Sequence, residues 1–161
     1  MTAAVHIAVG AVVGLWGSRL AGGLVNSESK LVRLAVQGGT AFFVATASHL
    51  VLDAVPHSEV MYGSVLGKWS VLATELVIIF NAIFWICCVR NLNFLIVFSG
   101  MAGGAWLDCA SLLLDSGFPQ NFLLNAVIDF HNYFHSQYVL ELSLSLPMQI
   151  VIVVFALVFL F

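Results

Sequence analysis

Five stretches of this chain, residues 3–25, 31–54, 70–89, 93–115 and 138–161, are predominantly apolar over roughly the 20 residues that a helix needs to cross a bilayer. Such segments have few folding options, because lipid cannot hydrogen-bond a backbone N–H or C=O and an α-helix satisfies both internally. Composition agrees: 61% of residues are hydrophobic and 8% charged, against about 25% charged in a soluble domain. The chain therefore lacks the polar surface to cover itself in water. The expectation is an all-α integral membrane helical bundle, one polytopic domain over residues 1–161, with about five transmembrane helices. The first segment is glycine-rich and carries Arg19, so it reads as short, tilted or partly re-entrant. Pro147 reads as a bend in the last. MTAAVHIAVGAVVGLWG lacks the positive n-region of a signal peptide and is read as a retained membrane segment. Residues 117–136, GFPQNFLLNAVIDFHNYFHS, are too polar to span and suggest a helix at the membrane surface before the last span.

Gly10 with Gly14 and Gly100 with Gly104 form two GxxxG pairs. Such pairs let helix backbones approach closely, here as contacts inside the bundle rather than a dimer seam. Arg19, Lys30, Arg33 and Arg90 fall on one side of the alternating segments and Lys68 on the other. The positive-inside rule then places the N-terminus outside and the C-terminus in the cytoplasm. The net charge of −3 is thinly spread and offers no basic face for nucleic acid. Cys87, Cys88 and Cys109 form no CxxC motif and read as buried apolar filler.

The polar residues within this apolar chain carry the functional argument. The same alternation brings His6, the His49/Asp53 pair, His57, His131 and His135 to one membrane face, together with Glu75, Asp108, Asp129 and Glu141. Glu75 lies ~8 Å below that end of the third segment and Asp108 ~10 Å below that end of the fourth. Burying an unpaired charge in a bilayer costs about 2.5–3.5 kcal/mol on insertion scales. Lys68 and any protonated histidines are the available cations on that face, and a bound divalent metal would supply the missing charge.

The spacing suits a metal. His49 and Asp53 stand four apart in SHLVLDAVPH, hence on one helix face, and His131 and His135 repeat the interval. Imidazole with carboxylate is the donor set of zinc, and of manganese and iron, sites. His57 follows Pro56, which ends the helix and can turn the imidazole back. Each residue also has a plainer reading. The histidines can be hydrogen-bonded packing or interfacial groups, His49 with Asp53 a helix-end ion pair, and Glu75 or Asp108 a protonated, hydrogen-bonded acid. Asp129 and Glu141 read as solvated or as groups that orient a ligand, and Tyr62, Tyr133, Trp69 and Trp106 as interface anchors or packing.

SHLVLD resembles the SHxxxD motif of the membrane-bound metal-dependent hydrolases, small proteins of the bacterial inner membrane. His6 in AVHIAVGAVVG resembles their N-terminal histidine, HNYFHS their H-x-x-x-H-S element, and GGAWLD their glycine-rich acidic segment. Here the last two elements follow SHxxxD instead of preceding it. The resemblance implies a helical inner-membrane protein with a divalent-metal centre, zinc foremost and manganese or iron as alternatives, and hydrolase activity.

The expected function is thus a membrane-embedded metal-dependent hydrolase. The candidate metal ligands are His6, His49, Asp53, His57, His131 and His135, with Glu75 and Asp108 as general base or orienting groups. A site at headgroup depth points to a membrane lipid, or a lipid-linked ester or phosphoester, as substrate. Two other readings stay open: a small metal-ion or proton transport protein, and a non-catalytic membrane scaffold subunit.

Overall fold

The computed structural model describes residues 2–25, 29–57, 65–119, 121–135 and 140–161, without the side chains of residues 65, 66, 68 and 142. Tyr62 and the side chain of Lys68 therefore lie outside the described residues. The described residues form six helices: α1 (Ala3–Leu24), α2 (Lys30–Asp53), α3 (Val65–Arg90), α4 (Phe94–Asp115), α5 (Phe122–Phe134) and α6 (Leu142–Leu160). Five of them are long and apolar enough to cross a membrane. The exception is α5, whose 13 residues extend about 20 Å against a hydrocarbon core of about 30 Å.

Local chemistry explains several helix ends. The side chains of Ser29, Asn93 and Asn121 accept backbone N–H bonds from Val32, Leu95 and Leu124, covering donors that a first turn leaves without a helical partner. α4 ends at Gly117, whose φ of +83° suits glycine; Phe118 N–H then bonds back to Leu113 O and Gly117 N–H to Leu114 O, a Schellman closure. Asn91, with φ +51°, ends α3 in the same way, Leu92 N–H reaching Cys87 O.

Two expectations are corrected. α1 is a full-length helix that runs through Arg19; its glycines serve packing, so it is neither short nor re-entrant. Cys87 is buried in the core, but Cys88 is exposed and Cys109 half-buried, because adjacent residues on a helix point about 100° apart. Pro147 lies inside α6 without ending it.

α1, α2 and α4 pack against one another most extensively, and glycine is the reason. A Cβ on Gly10 would stand 2.6 Å from the Gly100 carbonyl oxygen, and one on Gly14 2.8 Å from Gly100 Cα and 2.9 Å from the Ala41 carbonyl oxygen. A Cβ on Gly104 would overlap the His6 carbonyl, and one on Gly103 that of Phe42. Both GxxxG pairs therefore face each other inside the bundle, as expected, and they set α1 antiparallel to α4. α2 runs alongside α4, with Thr46 Oγ1 donating to the Phe42 or Gly103 carbonyl and accepting from Trp106 Nε1 at 3.0 Å.

α3 and α6 flank this trio. They hold the start of α1: Ala4 N–H donates to Glu75 Oε2 (3.2 Å) and Thr2 N–H to Gln149 Oε1 (2.7 Å). At the other end Arg90 lies over the Phe161 ring. The starts of α1, α3 and α6 thus share one end of the bundle with the finishes of α2 and α4. Large apolar side chains such as Phe43, Val51, Ile78 and Val158, each more than 60% exposed, stand outward along the spans, where water would be a poor solvent and lipid a good one.

The glycine seam makes a sharp prediction. Gly104→Ala forces α1 from α4 and lowers stability by about 1–3 kcal/mol, the range for overpacking. Thermal unfolding in mild detergent reads this as a lower midpoint. A midpoint equal to that of the wild type would show that the seam gives way at no cost.

Candidate metal centre

The shared end of α1, α2 and α4 collects the polar side chains that the apolar chain retains. α2 contributes His49 and Asp53 one turn apart, both fully buried. α1 contributes His6 (1% exposed) two residues beyond the amide that Glu75 holds. α5 crosses the end of the bundle and turns His131 inward (2% exposed), with His135 following as its C-terminal cap. α4 contributes Asp108, half-buried at its side chain.

Asp53 is the hub. Its Oδ1 lies 3.1 Å from His6 Nε2, and its Oδ2 lies 2.7 Å from His131 Nε2, 3.0 Å from His49 Nε2 and 3.5 Å from His135 Nε2. His49 and His131 bring their Nε2 atoms to 3.0 Å from each other. Asp108 Oδ1 stands 3.7 Å from His49 Nε2. His57, buried after the end of α2, completes a second group with Asp53 and His135, whose donor atoms lie within 4.8 Å of one another. All five histidines of the chain therefore meet around one carboxylate.

The donor atoms are presented in the form a cation requires. His49 Nδ1–H donates to the Gly104 carbonyl at 2.7 Å; since a carbonyl can only accept, Nε2 of the neutral ring keeps its lone pair. His57 Nδ1–H donates to Val55 O at 2.7 Å with the same consequence. Fixing one ring nitrogen on a carbonyl is how proteins orient metal-ligating histidines. Burial pushes the His57 imidazole below its ordinary range, against the opposing effect of the Val55 hydrogen bond, so it is neutral near pH 7. Among the described residues, His6 Nδ1 and Asp108 Oδ2 are buried without a hydrogen-bond partner, a state costly in apolar surroundings.

The spacings also fit. Ligands held about 2.0–2.1 Å from a tetrahedral zinc stand about 3.3 Å apart, and the contacts around Asp53 span 2.7–3.5 Å. His6, His49, Asp53 and Asp108 form one group able to hold an ion, and Asp53, His57 and His135 another. Glu75 belongs to neither. It holds the first turn of α1, where a carboxylate also meets the positive end of the helix dipole, and so positions His6. Asp129 and Glu141 are exposed.

Three contributors were not singled out by the sequence reading. The Gly104 carbonyl orients His49, Ser111 Oγ lies 3.4 Å from His131 Nδ1, and Gln149 anchors the start of α1 while donating to Ser145 on its own helix. A backbone acceptor leaves no mark in sequence. Gln149 did leave one, as an amide inside an apolar span. A groove between the starts of α2 and α4, lined by Leu31, Leu34, Leu95 and Ser99 among others, lies at the far end of the bundle and carries none of these donors.

No protein-family model, curated protein or solved structure matches this chain.

Hub and support separate by experiment. Asp53→Asn keeps the shape but halves the ligand's donor capacity and removes its charge, and metal uptake falls by more than about 100-fold. Glu75→Gln keeps a side-chain oxygen for Ala4 and retains the wild-type metal content. Elemental analysis after detergent purification without chelator distinguishes them. Loss in both variants would place Glu75 among the ligands.

Proposed function

We propose that this protein is a membrane-embedded, metal-dependent hydrolase acting at headgroup depth on a lipid, or on a lipid-linked ester or phosphoester. The observation that carries the reading is the meeting of four imidazole Nε2 atoms on the Asp53 carboxylate in a buried site. The likeness of SHLVLD and HNYFHS to elements of the membrane-bound metal-dependent hydrolases supports the same reading. Histidine with carboxylate suits zinc foremost, with manganese or iron as alternatives.

A divalent cation held there would polarise the scissile carbonyl or phosphoryl oxygen and acidify water. The chain's own groups divide the remaining work. Asp53 and the imidazoles would hold the cation, and the Gly104 and Val55 carbonyls would keep His49 and His57 in the ligating tautomer. Asp108 reaches the cluster with Oδ1 yet remains 26% exposed, so it can touch both site and substrate. It takes the proton of the attacking water and returns it to the departing alkoxide. α5 covers the site while exposing Phe122, Leu123, Phe130 and Tyr133, each more than 50% accessible. An amphipathic helix of this kind rests among lipid headgroups, which brings the ester region of a lipid to the site.

A transport route would continue the polar residues across the bundle. At the far end, the described polar contacts inside the bundle are between neutral groups, such as Gln37 Nε2 with the Ser18 carbonyl at 3.4 Å, and this favours a one-sided pocket. The cations Arg19, Lys30, Arg33 and Arg90 belong to that end. The positive-inside rule then orients the metal centre outward, with the N-terminus outside and the C-terminus in the cytoplasm, as in a bacterial inner membrane.

Activity and metal content test this together. Asp108→Asn, assayed per bound metal ion, lowers kcat by about 10²–10⁴-fold on a panel of long-chain lipid esters and phosphoesters. Failure of the metal-loaded wild type to cleave any member would overturn the hydrolase reading. Acidification is a second check. His57 is neutral in the folded chain while the unfolded chain binds a proton near pH 6.5, so this group's stabilising contribution is present above that range and is lost as pH falls below it. Metal release follows the same direction, because imidazole binds metal in its neutral form. Dialysis at pH 5.5 releases the metal and lowers the thermal midpoint relative to pH 7.5. Full retention at pH 5.5 would contradict imidazole ligation.

A further inference from the structure

We propose that the site holds two divalent cations bridged by Asp53, and that this makes a phosphoester its substrate class; the inference rests on the metal reading above and extends it. Asp53 belongs to both ion-holding groups, the one with His6, His49 and Asp108 and the one with His57 and His135. Its Oδ1 approaches His6 at 3.1 Å, and its Oδ2 approaches His131 at 2.7 Å, His49 at 3.0 Å and His135 at 3.5 Å, so Oδ2 meets members of both groups. A carboxylate shared by two groups of donors is what a bridging ligand requires. Paired catalytic cations stand about 3.5–4 Å apart, a separation that a carboxylate spans.

The number of donors points the same way. Five imidazoles and two carboxylates exceed the three protein ligands with one open position that a catalytic zinc takes. His57 adds to this, because its Nδ1–H is committed to the Val55 carbonyl, which leaves Nε2 of the neutral ring free to ligate, and the residue belongs to the group with Asp53 and His135. His57 and His135 bring their ring centroids to 5.7 Å from each other.

Charge then selects the substrate. Two divalent ions bring four positive charges to a cluster whose carboxylates among the described residues are Asp53 and Asp108, leaving an excess of two over those carboxylates. A neutral carboxylic ester leaves that excess in place at a buried site. A phosphoryl group brings negative charge and two oxygens that can face two ions, the arrangement paired metals use to clamp an in-line displacement.

The test uses the full chain in mild detergent, loaded with manganese(II). Elemental analysis is expected to give two ions per chain in the wild type and one in His57→Ala/His135→Ala. Electron paramagnetic resonance of the wild type, which depends on no variant folding, is expected to show the exchange-coupled spectrum of a manganese pair. One uncoupled ion per chain in the wild type overturns the pair and leaves the metal reading standing; no ion overturns both. Two ions that persist in the double variant place the second elsewhere and overturn the assignment. Inorganic phosphate, followed by equilibrium dialysis, is expected to bind the manganese-loaded wild type at least 10-fold more tightly than the double variant. Equal affinities overturn the substrate class.

Discussion

A carboxylate buried at the end of a membrane-spanning helix is the constraint on which this structure turns. Asp53 has no measurable exposure, and the groups around it are imidazoles, which are neutral unless protonated. An isolated charge in such a place costs several kcal/mol. Relief requires positive charge in the same small volume. The described lysines and arginines supply none, since Arg19, Lys30, Arg33 and Arg90 belong to the opposite end of the bundle. Protonated histidines or a bound cation would neutralise Asp53, and the Gly104 carbonyl, by taking one ring proton of His49, leaves its other nitrogen facing Asp53. That polarity is the one a cation favours.

The fold brings these side chains together by close backbone approach rather than by burial of large apolar side chains. Where α1, α2 and α4 cross, glycine faces glycine, and the same Gly104 that lets His6 in also orients His49 through its carbonyl. Packing and chemistry are therefore coupled at one residue. In lipid, where apolar surfaces gain little by leaving the solvent, such close contacts and buried polar bonds carry the association of helices. Glu75 and Gln149 fix the start of α1 from two neighbouring helices, so the segment that leads into His6 is held from two sides.

Much of this was legible in the sequence. Apolar runs gave the five spans to within a few residues at most ends, and alternation of direction placed every histidine at one end. The i,i+4 interval marked His49 with Asp53 as a unit. Glycine spacing anticipated the crossing of α1 and α4. What stayed hidden has a common cause: hydrogen bonds to backbone atoms carry no residue signature. Glu75 and Asp108 look alike as lone acids in apolar helices, yet one meets the amide of Ala4 and the other faces His49. The sharing of Asp53 between two groups was equally invisible, because it depends on where α5 crosses the bundle.

X-ray absorption at the metal edge of the wild-type protein, purified without chelator, tests the central claim most directly. The account predicts a shell of nitrogen and oxygen at about 2.0–2.2 Å with the outer-shell scattering of several imidazoles. A protein that retains no metal when offered zinc or manganese, or a shell of oxygen alone without imidazole scattering, would contradict it.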